Sequence, residues 1–384
     1  MTKVVLMHQE PLTPNIEKRF CIKEIIAAGF SFEYWDVSQI LYPGLSVADE
    51  LKRDYSKVLT SFDEFKSLWT SLPDDCIAIP EFYFIPKSGK MWKLMRSRKI
   101  PLVKIGRYIN YGDTRTFAQK FRAYFATPVT TFRYIRAVMF RVYMKLCGVE
   151  LSKRYDYYLV PESLPGMSGN HVRRINHPDY DNYLIHKNDE PCIKEKYICF
   201  VETGFGLHPD EHYFEDKFYE DNNLWQKKLC DFFDAVEKKY GMPVVIAVHP
   251  KIEYPEDAFG GRKKIKYQTL NLVLNSEFVI QDISNSLSFS VIANKKIGFA
   301  VTEEFWRRYK QIMNQISDLV GLPVFNIDKQ KFDDFEPAQL KEDNRKSYMY
   351  SLLCSEETKD KLSSDLIIEF FSKILQQKEQ RSAE

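Results

Sequence analysis

The chain has 384 residues, about twice the usual span of one domain, so its length favours two domains with ample core. It is 44% hydrophobic and 28% charged and has no low-complexity tract, which excludes a disordered or fibrous chain. The net charge of +2 conceals a basic block, because residues Lys87 to Arg154 hold 17 Lys/Arg against only Asp113 and Glu150.

The first residues, Met1 to His8, carry an apolar run too short for a signal peptide core or a membrane span and are expected to form a strand. The seven cysteines are scattered, with no CxxC pair and no zinc spacing, as in a reduced cytosolic protein. No metal site and no cofactor are expected.

The first half alternates short β-branched or aromatic runs with amphipathic stretches, which is the pattern of a parallel sheet with right-handed crossovers. Strands are expected at Lys3–Met7, Ser31–Val37, Cys76–Pro80, Pro101–Ile105 and Tyr157–Val160. Helices are expected at Asn15–Ala28, Phe62–Ser71 and Lys90–Arg98, and one or two more over Thr116–Cys147, broken at Pro128. The Pro- and Gly-rich stretch Pro161–Pro191 is the expected interdomain connection.

A second alternating series follows. Its expected strands are Tyr197–Val201, Val244–Val248, Phe278–Ile280, Ile297–Val301 and Pro323–Ile327. Its expected helices are Leu224–Tyr240, Thr269–Leu274, Leu287–Ala293, Glu303–Val320 and a last one at Lys359–Gln377. The expected division is a Rossmann-like domain over 1–180 carrying the basic segment 87–154, a second Rossmann-like domain over 181–358, and a terminal helix and tail over 359–384. Two such α/β domains facing a central cleft make a GT-B-like fold.

Ligands of open α/β sheets bind beyond the carboxyl ends of the strands, and three polar clusters lie there in the second half. Glu202-Thr203-Gly204, followed by His208-Pro209-Asp210, offers a carboxylate as general base, either Glu202 or Asp210, with Gly204 allowing close backbone approach. His249-Pro250-Lys251 offers an imidazole and an ammonium to a phosphate. Ser284-Asn285-Ser286, with Ser288, combines hydroxyls with the unpaired amides of a helix start. Arg262, after Gly260-Gly261, is a further phosphate or acceptor candidate, whereas His177 reads as a turn residue.

The order of His249-Pro250 and Ser284 to Ser286 resembles the GT-B sialyltransferases and polysialyltransferases and the Kdo transferases of bacterial capsule assembly. The resemblance spans roughly Tyr197 to Val301. It implies that His249 stabilises the leaving phosphate of a CMP-sugar and that Ser284 and Ser286 hold its oxygens. It also implies an acidic pair before a glycine, of which Glu202-Thr203-Gly204 keeps one acid. The expected activity is transfer of a sugar, a nonulosonate in this family, to a glycan or polyprenyl-phosphate-linked acceptor of a bacterial surface polysaccharide. The expected place is the cytoplasmic face of the inner membrane, with the basic aromatic segment against anionic lipid. The alternatives are a UDP- or GDP-sugar transferase, an epimerase of the same fold, or a non-catalytic basic protein that binds membrane or RNA.

Overall fold

The computed structural model describes residues 2–47, 49–107, 117–162, 171–204, 222–249 and 252–383. The chain divides into two compact units. Unit 1 comprises residues 1–108, 113–176 and 357–384, and unit 2 comprises 109–112 and 177–356.

In unit 1 the elements are β1 (Lys3–His8), α1 (Pro14–Arg19), α2 (Ile22–Ala27), β2 (Ser31–Asp36), α3 (Ser38–Leu41), β3 (Ser56–Val58), α4 (Phe62–Ser71) and β4 (Ile77–Glu81). They continue with α5 (Gly89–Arg96), β5 (Val103–Ile105), α6 (Phe117–Tyr124), α7 (Pro128–Leu146), β6 (Tyr157–Val160) and β7 (Val172–Arg174). Strands β3-β2-β1-β4 and β5-β6-β7 pair in parallel, and a parallel bridge from Ala78 to Leu102 sets β5 beside β4. The strand order 3-2-1-4-5-6-7 is that of a doubly wound sheet. Val4 and Leu6 pack on one face of β1 and Val5 and Met7 on the other, and both faces are covered, as a parallel sheet requires.

In unit 2 the elements are α8 (Pro178–His186), β8 (Ile198–Val201), α9 (Asn222–Tyr240), β9 (Val244–Ala247), β10 (Lys264–Ile265), α10 (Thr269–Asn275) and β11 (Val279–Gln281). They are followed by α11 (Leu287–Ile292), β12 (Ile297–Val301), α12 (Glu303–Val320), β13 (Val324–Asn326) and α13 (Glu342–Tyr348). The sheet is parallel, with order β10-β9-β8-β11-β12-β13. Counted from β8, this is again 3-2-1-4-5-6.

Several expected elements differ in detail. The helix expected over Asn15–Ala28 is two helices, because Cys21 adopts the left-handed conformation (φ 52°) between them. Over Thr116–Cys147 the chain forms two helices, α6 and α7, and the expected break at Pro128 takes the form of a helix start, with Pro128 at the first position of α7 behind the Thr127 cap. Strands β3 and β7, three residues each, are too short and polar for a periodicity signal.

The chain returns at its end to unit 1. Helix α14 (Ser363–Ala383) places Ile367, Phe370, Phe371 and Ile374 in the core formed by β1, α1 and α2. Asn176 fixes the return. Its amide donates to the carbonyls of Thr358 (3.1 Å) and Lys361 (2.6 Å), its backbone N–H donates to Ser363 Oγ (3.0 Å), and that hydroxyl donates back to the Asn176 carbonyl (3.0 Å). The residue is fully buried. Asn176→Ala leaves two carbonyls without their donor and is expected to cost about 2–3 kcal/mol, a melting temperature lower by roughly 5 °C or more in differential scanning calorimetry. An unchanged melting temperature would remove Asn176 from this role.

Candidate functional site

The connections of unit 2 leave β8 toward one side of the sheet, to β9 and β10, and leave β11 toward the other, to β12 and β13. Between the carboxyl ends of β8 and β11 the crossovers therefore diverge, and ligands of doubly wound sheets bind at such a point. Three loops meet there: residues 202–204 after β8, His249 two residues after β9, and residues 282–286 after β11. Adjacent strands lie about 4.8 Å apart, so the three exits begin within roughly 10 Å of one another.

Hydrogen bonds join the three exits. Glu202 is buried, at 3% exposure. Its Oε1 accepts from the Gly204 N–H (2.5 Å), while its Oε2 accepts from the Tyr254 hydroxyl (2.5 Å) and the His249 N–H (3.4 Å). Thr203 donates its hydroxyl to Asp282 Oδ2 (2.7 Å), linking the end of β8 to the end of β11. Gly204 sits at φ +80°, a region that favours glycine, which lets its N–H turn back to Glu202. Ser284 Oγ accepts the Ser286 N–H (3.2 Å), and the Ser286 side chain makes no capping bond to α11.

Electrostatics set Asp282 apart. It is 4% exposed, and burial pushes its carboxyl up to about 7, the nearby Glu202 adding to the rise while the Thr203 hydroxyl opposes it. Asp282 Oδ1 and both polar ends of the fully buried Gln281 side chain have no hydrogen-bond partner among the described residues. Unsatisfied buried polar atoms are rare, and three of them at the end of β11 mark a place where a polar guest gains bonds. The Tyr254 phenol is held strongly toward its neutral form by burial and by Glu202.

Not every expected residue is here. Arg262 precedes β10 and so lies at the amino end of the sheet, away from the strand exits. Its guanidinium is taken up by Glu237 (2.7 and 3.0 Å) and Asp234 (2.5 Å), so its expected phosphate role is corrected to a brace for α9. Glu202 is corrected as well. A sealed carboxyl that accepts from three donors positions Gly204, Tyr254 and His249 and does not fit the task of deprotonating an acceptor hydroxyl. Ser288 is fully buried and donates to Asp179 and to the Asn285 carbonyl (3.0 Å), so it belongs to the scaffold. His177 caps α8, its Nδ1 accepting from the Asp179 N–H (3.2 Å). Asp210, Pro250 and Lys251 lie outside the described residues. The sequence reading did not single out Asp282, Gln281 or Tyr254. Asp282 is an acid directly after a core strand, but its meaning depends on β8 and β11 being neighbours, which spacing along the chain does not reveal.

No family model matches the chain. Among solved structures, a variant of the wall teichoic acid polymerase TagF superposes with a TM-score of 0.54 at 13% identity, over 98% of this chain and 90% of the other. Another TagF variant, soaked with CDPG, gives 0.51 at 13% identity, again over 98% and 90%. The S. aureus MnaA-UDP co-structure gives 0.46 at 14% identity, over 96% and 95%. In sequence the chain is 25% identical over 222 residues to the tRNA(Ile)-lysidine synthase of Malacoplasma penetrans, covering 53% of this chain and 70% of that protein. At these identities the structural likeness shows the fold alone: the chain is a GT-B-like α/β protein with two Rossmann-like units.

Proposed function

We propose that the chain is a glycosyltransferase that binds the phosphate end of a nucleotide-sugar at the strand exits of unit 2. The observation that carries this reading is the meeting of His249, Thr203-Gly204, Asp282 and Ser284 to Ser286 where the crossovers diverge. His249 donates to the departing phosphate, and the Ser286 hydroxyl, left unused by the helix, holds a second oxygen. Glu202 and Tyr254 position the His249 backbone. A CMP-sugar carrying a nonulosonate is the favoured donor, from the order of the His-Pro pair and the serines; a UDP- or GDP-sugar is the rival. The acceptor is a surface-polymer or lipid-linked glycan, an assignment consistent with the likeness to a wall teichoic acid polymerase. The protein acts in the cytoplasm, peripheral to the inner membrane. A second reading, a protein that binds RNA through its basic segment, draws on the similarity to a tRNA-modifying synthase. It predicts RNA retention on filters that falls steeply with salt and no nucleotide-sugar binding.

Two tests bear on the site. His249→Ala is expected to lower turnover by roughly 100-fold or more at an unchanged melting temperature, since it removes a donor to developing charge; unaltered turnover of the nucleotide-sugar would discard the assignment. Asp282 provides a pH test. Its folded-state value, about 7, lies above the unfolded one. The native chain thus keeps a proton that the unfolded chain has released, and stability falls as pH rises from about 4 to about 7. Asp282→Asn removes that slope. The variant is expected to exceed the parent by on the order of 4 kcal/mol at pH 8 and to converge with it near pH 4. The parent's nucleotide affinity should also decline above pH 7, where an ionised Asp282 repels phosphate, and the variant's should not. Parallel pH profiles for the two proteins would contradict the placement of Asp282.

A further inference from the structure

Helix α7 is apolar on two opposite sides. Phe140 and Met144 face the body of unit 1, where the Phe140 ring lies tilted against Phe84 (5.0 Å between centroids) and Met144 is fully buried. The approach is close, since a Cβ built on Gly89 of α5 would lie 2.9 Å from the Phe140 ring. On the far side, Phe132, Ile135, Met139, Val142 and Leu146 recur at steps of three and four residues and form one stripe. These five side chains are 68%, 46%, 67%, 55% and 83% exposed. Phe121 and Phe125 extend the stripe at the α6 end and are also exposed, while Tyr124 of α6 stacks on Tyr134 (4.4 Å) and holds the two helices as a hairpin. A contiguous exposed apolar surface of this kind marks an interaction site.

The charges decide what covers it. Residues 117–146 contain Lys120, Arg122, Arg133, Arg136, Arg141 and Lys145 and no Asp or Glu. A second copy of the chain would set six cations against six like charges across a two-fold contact. RNA would find aliphatic side chains along most of the stripe, where single strands need aromatic platforms. An anionic bilayer satisfies both features, because aliphatic and aromatic side chains enter the acyl boundary while flanking Arg and Lys meet lipid phosphates. We propose that the α6–α7 hairpin lies flat on an anionic lipid surface, with the stripe Phe132-Ile135-Met139-Val142-Leu146 inserted. Among the described residues no helix is long and apolar enough to cross a membrane, and a 19-residue helix, about 28 Å long, suits lying in the interface. The inference stands apart from the nucleotide site.

The test is co-sedimentation of the full chain with vesicles of phosphatidylcholine, with and without phosphatidylglycerol. The parent is expected to bind only the anionic vesicles, more weakly as salt rises. The triple variant Phe132→Asp, Met139→Asp, Leu146→Asp is expected to lose binding at least about tenfold at an unchanged melting temperature, because all three side chains point to solvent. Arg136→Glu with Arg141→Glu is expected to lose the preference for anionic lipid. Nucleotide binding in all variants should equal the parent's, so failure here is separable from failure of the transferase reading. The proposal is overturned if the parent binds neither vesicle, if the triple variant binds as the parent does, or if sedimentation velocity shows a dimer that the triple variant dissolves while vesicles are ignored.

Discussion

The account depends on a constraint of chain topology. In a parallel sheet of order 3-2-1-4-5-6 the first and fourth strands are neighbours whose continuations run to opposite sides, so the space beyond their carboxyl ends cannot be closed by a crossover. In unit 2 those strands are β8 and β11, and the residues that follow them are Glu202-Thr203-Gly204 and Asp282-Ile283-Ser284. The backbone thus sets polar side chains at the edge of an apolar sheet, where burial gives each of them a strong electrostatic environment. Glu202 spends its carboxyl on ordering the exits of β8 and β9, and Thr203 ties β8 to β11. The same topology recurs in unit 1, where His8 and Glu81 occupy the corresponding strand ends, in register with each other.

Two buried acids side by side are costly, and the site lowers the cost unequally. Glu202 is compensated by donors on both oxygens, whereas Asp282 keeps one oxygen without a partner among the described residues and shifts toward its neutral form. A carboxyl that is half protonated near neutrality is compatible with an anionic neighbour in a way that two ionised carboxylates are not. It can donate to a phosphate oxygen when neutral and repels it when ionised.

Much of the fold was legible in the sequence because its strands are continuous apolar runs and its long helices carry stripes at helical spacing. Helix α12, strand β12 and strand β6 fall on their expected bounds. What was not legible depends on long-range neighbours. The break at Cys21 has neither Gly nor Pro to announce it, and the return of α14 to unit 1 is a matter of which core its apolar face meets. At the site, spacing along the chain placed His249 and Ser284 to Ser286 at strand ends correctly. It gave Arg262 a phosphate role, although Arg262 comes before its strand, because it could not show the pairing with Asp234 and Glu237 at the sheet's other edge. The basic segment was visible as charge, but its meaning needed three dimensions, since only exposure separates the packed side of α7 from the solvent stripe opposite.

The central claim is that the ends of β8, β9 and β11 form one pocket for the phosphate of a nucleotide. A crystal structure of the chain with CMP, repeated with UDP and GDP, tests it most directly. The account predicts phosphate oxygens within hydrogen-bond distance of the His249 ring and the Ser286 hydroxyl, over the Thr203 to Asp282 bond. A nucleotide bound elsewhere on the chain, or density for none of the three at saturating concentration, would contradict it.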